Sequence, residues 1–515
     1  MFNQGKRTDN AVKTSIVSSS VTIFNSLSGF VYRTAFLYFL SKQYLGINGL
    51  FVNVLQILSL ADLGIAGAIV FRFYKPIAED DSIQVGKLMN YFKHIYRIIF
   101  IVVVTLGVLL IPFLRYFIKD ISEVPADVNI YGVYILFLLQ TASSYVYAYK
   151  QTLLIADQRQ YIVSIVQAVT NLIKYVLQII SLWIFRDYML TIVINIVTTI
   201  GINYIFSLYV TKRYPEVFSI KESITKEEKK AILKDTKACM GHKIGFAMVN
   251  STDNLILSSF VGIAAVGIYS NYSLLISSLN SVATQLLSNS TASIGNAYVQ
   301  LDEDNRYRVY KNMLYINWSI DTLLTVCLYV LITPFITLWI GSDMTFNNLT
   351  VILLCAQFYL TLSRQINTST TSANGLFVKD VPRPFIEAAI NLITSIYLVN
   401  KIGIAGIFAG TIISCICTVW WREPYLLFKY DFKRNMVEYW LIFFKFVFIT
   451  VFASWICQML LVPYIKSFFS WGVVAVITAI ISIAIIALAN FRKPEFLNMM
   501  RLIDGLSGKI RKVRK

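Results

Sequence analysis

Apolar runs of roughly twenty residues recur along the whole chain, separated by short polar stretches that carry most of the charge. A helix needs about 20 mostly apolar residues to cross a hydrocarbon core. The pattern predicts about fourteen such helices, near 14–40, 45–71, 95–118, 129–154, 161–185, 188–210, 239–262, 265–297, 312–340, 346–371, 384–400, 402–420, 439–461 and 467–490. Gly403 and Gly406 mark a soft break between the eleventh and twelfth. The fold class this predicts is an all-α polytopic membrane protein: two pseudo-symmetric six-helix lobes followed by two more C-terminal helices. The expected divisions are an N-terminal lobe at 1–210, a basic cytoplasmic linker at 211–238, a second lobe at 239–420, the additional pair at 439–490 and a basic tail at 491–515. The first span runs too long for the apolar region of a signal peptide and has no evident cleavage site after it.

Composition agrees with the pattern. Hydrophobic residues make up 57% of the 515 and charged residues 14%, where soluble chains carry about 25% charge. The net charge of +18 sits in the loops and the tail. With the N-terminus inside, the loops predicted to be cytoplasmic hold most of the Lys and Arg, as the positive-inside rule requires. An even number of spans then places both termini in the cytoplasm. No nucleic-acid motif competes with this reading of the basic charge.

A weak two-fold pattern supports the lobes. Arg33 precedes Gly46 of LGINGLFVNV much as Asp253 precedes Gly267 of VGIYSNYSLL, and transporter folds are often built from such repeats.

Several spans are too polar to face lipid on every side. The first carries Ser15, Ser18, Ser19, Asn25, Ser26 and Ser28; the eighth carries Asn271, Asn280, Gln285 and a series of Ser and Thr. Such groups either glue helices together or line a watery cavity, and for the eighth the cavity is the better account. Arg33, Asp62, Lys174, Asp253, Asp321 and Arg364 are ionisable residues well inside apolar segments, a costly placement that usually marks a cavity or an ion pair. Arg33 and Asp253 lie about nine residues, roughly 13 Å, from the outer ends of their spans. Asp321 and Arg364 have matched depths on consecutive spans and are expected to pair. For Lys243, Glu387 and Lys445, near span ends, snorkelling is expected.

Enzyme signals are poor. There is no phosphate-binding loop. The six cysteines make no CxxC pair, and two histidines cannot build a metal site with them. Asp302–Asp304 lies in a short loop with no domain to hold a nucleotide. No cofactor is expected.

Three stretches, SLADLGIAGAIVFRFYKPIAEDD (Ser59–Asp81), YKQTLLIADQRQY (Tyr149–Tyr161) and STDNLILSSFVGIAAVGIYSNYSLL (Ser251–Leu275), resemble the polysaccharide transporter family. These are flippases for lipid-linked repeat units of capsule, exopolysaccharide or O-antigen, within the multidrug/oligosaccharidyl-lipid/polysaccharide exporter superfamily. The resemblance implies alternating access by two helical lobes around a central cavity. An undecaprenyl-pyrophosphate-linked oligosaccharide would pass its headgroup through that cavity, in the bacterial cytoplasmic membrane, while the lipid stays in the bilayer. It also implies a pathway shared with glycosyltransferases and a polymerase. On that reading Arg33, Lys174 and Arg364 would meet the pyrophosphate, with Asn271 and Gln285 on the sugar. Asp62, Asp253 and Asp321 would serve ion coupling, by H+ or Na+, or gating. The alternatives are a multidrug/cation antiporter, which predicts an acid-dominated cavity, a peptidoglycan-precursor flippase, and an integral-membrane polysaccharide polymerase, which would need a soluble catalytic domain or a sizeable outer loop.

Overall fold

The computed structural model describes residues 7–59, 65–230, 232, 252–300, 302–374, 376, 380 and 382–498. All regular structure among them is helical, as expected where a backbone in lipid must satisfy its own hydrogen bonds. The chain divides into two compact units, Met1–Ser270 and Asn271–Lys515.

The first unit contains α1 (Arg7–Phe39), α2 (Lys42–Leu58), α3 (Ile65–Ala78), α4 (Ser82–Leu110), α5 (Ile130–Ala156), α6 (Gln160–Phe185), α7 (Tyr188–Arg213), the short α8 (Pro215–Ser219) and the start of α9 (Ile263–Gln300). Two pairings set its frame. Along α1 and α6, Ser18 bonds Ser164, Asn171 bonds Asn25, and Tyr32 stacks on Tyr175. Partner numbers rise together, so the two helices run parallel. Along α5 and α7, Asn195 bonds Gln140, Tyr147 meets Tyr204, and Lys150 bonds Ser207 and Thr211. These run parallel too. First with fifth and fourth with sixth is the result expected when successive spans alternate in direction.

The opening of α9 docks on α2 through glycine. A Cβ on Gly46 would lie 2.1 Å from the Ile263 carbonyl oxygen, and one on Gly267 would lie 2.2 Å from that of Lys42. The Glu123 carboxylate accepts from the Ile263 backbone N–H at 2.9 Å, placing an acid at a helix N-terminus where free donors and the helix dipole favour it.

The second unit contains the rest of α9, then α10 (Glu303–Ile340), α11 (Asn348–Ser363), α12 (Gln365–Ala373), α13 (Arg383–Ile402), α14 (Ile404–Cys417), α15 (Val419–Tyr430), α16 (Val437–Leu461) and α17 (Phe468–Asn490). α10 and α16 run parallel around Trp318, which is enclosed by Tyr439, Phe443 and Phe446. α17 is antiparallel to α10, with Trp471 donating to the Leu331 carbonyl. The predicted break at Gly403 is real: its φ is +62°, a conformation glycine takes without penalty.

Ten helical stretches among the described residues are long and apolar enough to cross a membrane, and they correspond to spans three to six and nine to fourteen. The other four have individual causes. α1 and α9 are rich in polar residues; the second span is described as α2 and α3, either side of 60–64; most of the seventh lies outside the described residues. Several helices also outrun their predicted spans. α4 begins at Ser82 rather than 95, capped by the Asp81 carboxylate on the Gln84 N–H, and α10 begins at Glu303 rather than 312. Hydropathy registers the stretch inside the bilayer, whereas Val85, Leu88, Met89 and Phe92 bury an amphipathic extension of α4 against the protein.

Candidate functional site

The α1–α6 seam is an inside-out amphipathic pairing. On α6 the residues Val169, Leu172, Ile173, Val176 and Ile180 are exposed, while Ser164, Asn171, Lys174 and Gln178 occupy the turns facing protein. Lipid supports the first face, and hydrogen bonds between helices satisfy the second. Polar partners step by seven residues on both helices, Ser18 to Asn25 and Ser164 to Asn171. That is two turns, so each contact recurs on one face of parallel helices.

This seam holds two of the predicted cations. The Lys174 ammonium donates to Asn171 Oδ1 at 3.1 Å, and Asn171 Nδ2 donates to Asn25 Oδ1 at 3.3 Å. The same ammonium sits 4.9 Å from the centre of the Tyr175 ring, within range of a cation–π attraction. Tyr175 stacks on Tyr32 with centroids 4.9 Å apart. Next to Tyr32, Arg33 donates from Nη1 to Ser270 Oγ at 2.7 Å, and Ser270 spends its own proton on the Gly267 carbonyl. Arg33 and Lys174 therefore flank one aromatic pair, both half-buried. Among the described residues Lys174 forms no ion pair. The Asn171 amide and the Tyr175 π-face hold the Lys174 ammonium in place without neutralising it, so it keeps the charge an incoming anion would meet, and the Arg33 guanidinium lies beside the same aromatic pair.

The other predicted residues lie elsewhere. Asp253 is buried, just ahead of a π-helical turn at Leu257–Val261. Asn271 is fully buried at the head of the second unit. Asp62 lies outside the described residues, as does the side chain of Gln285 on α9.

The expected Asp321–Arg364 pair does not form. Arg364 sits at the break between α11 and α12 and grips Glu423 of α15 with two bonds, Nε to Oε2 at 3.2 Å and Nη2 to Oε1 at 2.8 Å. Thr368 donates to the same carboxylate. Matched depth fixes a level but not a face. At this level α10 turns Asn317 and Trp318 toward the Leu362 and Ser363 carbonyls freed by the break, leaving Asp321 on another side. The twelfth span predicted from hydropathy stops at 420 and excludes Glu423, whereas α15 continues to Tyr430. A neighbouring network joins Arg383 to Asp380 and Glu387, and Arg422 to Asp380. Glu387 is thus ion-paired rather than snorkelling. Lys445 bonds the Ala489 carbonyl and Asn490 at the C-terminal end of α17, where a cation is favoured. Lys243 lies outside the described residues.

The fold is that of the exporter superfamily anticipated above. The chain aligns with a solved structure titled "Lipid II flippase MurJ, inward closed conformation" at a TM-score of 0.65 and 15% identity, covering 93% of this chain and 99% of that one. An inward-facing multidrug resistance MATE family transporter of the MOP superfamily aligns at 0.57 and 15%, over 80% and 98%. A MOP superfamily transporter from Pyrococcus furiosus, whose title notes a binding pocket of reverse polarity, aligns at 0.52 and 15%, over 84% and 100%. No curated protein matches the chain. Residues 11–291 match the family described as polysaccharide biosynthesis protein, more than half of the sequence, and the protein belongs to that family.

Proposed function

We propose that this protein is a flippase that carries undecaprenyl-pyrophosphate-linked oligosaccharide across the bacterial cytoplasmic membrane by alternating access, supplying a surface polysaccharide such as capsule, exopolysaccharide or O-antigen. Family membership and the exporter fold support a transporter. The observation that carries the substrate reading is the Arg33–Lys174 pair on the polar seam of α1 and α6. A pyrophosphate is the strongest anion in a lipid-linked sugar. Two cations beside a tyrosine stack offer it a guanidinium fork and a point charge. Asn25 and Asn171 beside them suit sugar hydroxyls. In this reading Arg364 leaves the substrate set, because Glu423 occupies its fork, and it serves to hold α12 against α15. Both termini lie in the cytoplasm, in keeping with the distribution of Lys and Arg.

The test is export in cells. Arg33→Ala and Lys174→Ala should each lower surface polysaccharide at least tenfold at unchanged protein level, with the lipid-linked repeat unit accumulating in the membrane. Arg33→Lys should recover part of it, since lysine keeps the charge and loses the planar fork. Unchanged polymer in both alanine variants would overturn the assignment. Lowered peptidoglycan with normal surface polymer would move the substrate to a peptidoglycan precursor.

A further inference from the structure

Among the described residues, one buried carboxylate in the second unit stands outside every ion-pair network. Asp321 is at the midpoint of the 38-residue α10, about 27 Å from either end at about 1.5 Å per residue. Its relative exposure is 0%. Its Oδ1 accepts from the Thr325 hydroxyl one turn on, at 3.2 Å. Among the described residues nothing donates to Oδ2, and Asp321 makes no ion pair.

The groups around it come from three helices. α10 adds Thr322, whose hydroxyl lies 2.9 Å from that of Thr450 on α16. α11 adds Tyr359, whose phenol lies in electrostatic reach of Asp321 and beside those two hydroxyls. The Tyr359 oxygen is itself buried with no hydrogen-bond partner among the described residues. Two buried oxygens, Asp321 Oδ2 and the Tyr359 hydroxyl, thus lie within electrostatic reach of each other, each without a hydrogen bond of good geometry among the described residues.

Among the described residues, no cation on the packed elements pairs with Asp321. Arg364, at the end of α11, is committed to Glu423. Lys311 of α10 is bound by Glu438 and by Glu495, which follows α17. Lys445 of α16 is bound at the end of α17. α12 and α17 contain no charged residue. Arg306, at the start of α10, pairs with Asp431. The other titratable groups on these helices include the buried phenols of Tyr315 on α10 and Tyr439 on α16, and the thiols of Cys355 on α11 and of Cys457 on α16 beside Cys327 of α10; Arg308, near the start of α10, is exposed. Asp343 and Tyr464, on the turns beyond the far end of α10, are exposed. An ionised carboxylate here would be buried, half-satisfied and uncompensated, the condition under which such groups take the neutral form.

We propose that Asp321 is a proton-binding site: in this conformation it is a neutral carboxylic acid, and it gives that proton up when α10, α11 and α16 separate during transport. The O–H bond breaks with its electron pair left on the carboxylate, and the proton passes to water admitted by the separation. The site lies at the junction of the second lobe and the additional helical pair. That gives α16 a part in coupling that a twelve-helix transporter would lack. The coupling half of this proposal rests on the flippase reading; the protonation half does not.

The experiment is infrared spectroscopy of the purified full-length protein in liposomes, exchanged between acidic and mildly alkaline buffers. The expected result is a protonated-carboxyl C=O band in the wild type at neutral pH that is absent in Asp321→Asn. Tyr359→Phe, which keeps the carboxyl and removes its neighbour, should shift that band, and it serves in place of Asp321→Asn should that variant not fold. Asparagine mimics the neutral acid, so Asp321→Asn should retain the wild-type melting temperature and lose the pH dependence of transport. A wild-type spectrum with no band assigned by either variant would overturn the proposal. So would a band abolished by sodium chloride at constant pH, because the site would then hold a metal ion. Failure to move oligosaccharide with the band intact would fall on the flippase reading alone.

Discussion

Arg364 has a carboxylate to pair with, whereas among the described residues Asp321 has no cation. Removing one partner of a buried ion pair strands the other, at a cost of about 3 kcal/mol. Arg364→Ala and Glu423→Ala should each lower thermal stability by that order, and a charge-reversed pair, Arg364→Glu with Glu423→Arg, should recover a good part of it. The corresponding double-mutant cycle between Arg364 and Asp321 should give a coupling near zero. A large coupling there, with none between Arg364 and Glu423, would reinstate the pairing expected from depth alone. The sequence made the charges legible but not their partners. Inside an apolar run an ionisable residue is conspicuous, whereas Glu423 sits among Trp420, Trp421 and Arg422 at the edge of one, where hydropathy has already fallen. Tyr359 was invisible for a related reason: a tyrosine in a hydrophobic helix carries no signal until its hydroxyl is seen to be buried.

At the scale of elements, glycine decides how closely α2 and α9 approach. The Cβ positions of Gly46 and Gly267 fall on backbone oxygens of the opposite helix, Ile263 and Lys42. Backbone cannot swing aside as a side chain can, so Gly46→Ala and Gly267→Ala should each force the helices apart and lower the melting temperature, at about 1–3 kcal/mol. Gly201 of α7 is the control, with nothing within 4 Å of its Cβ, and Gly201→Ala should be neutral or slightly stabilising, as alanine is the better helix former. Equal melting temperatures for all three variants would contradict the close crossing. The spacing of Gly46 and Gly267 relative to Arg33 and Asp253 drew attention to these glycines in the sequence. What the sequence did not reveal is that the two meet: the repeat that made them look equivalent also places them on opposite sides of one contact. Helix ends were poorly legible throughout, because amphipathic extensions such as the start of α4 are stabilised by packing rather than by hydropathy.

For the molecule as a whole, the direction of helices is the strongest internal support for the spanning order. Within each unit, first with fifth, fourth with sixth and ninth with thirteenth run parallel, and the ninth with the fourteenth runs antiparallel, as successive crossings of one bilayer require. The spans that fail the criterion of apolarity through their own polar residues are the first and the eighth, and the first carries Arg33. A polar first helix against a polar fifth is a poor choice for stability alone and a natural one for a path that a charged headgroup must follow. We propose that this path conducts a pyrophosphate-linked sugar. The most direct measurement is translocation of fluorescent undecaprenyl-pyrophosphate oligosaccharide in proteoliposomes, read by quenching from outside. Wild-type protein should move it, Arg33→Ala and Lys174→Ala should each slow it at least tenfold, and the same lipid without its sugar–pyrophosphate headgroup should not compete. Equal translocation by wild type and both variants, or competition by the headless lipid, would contradict the account.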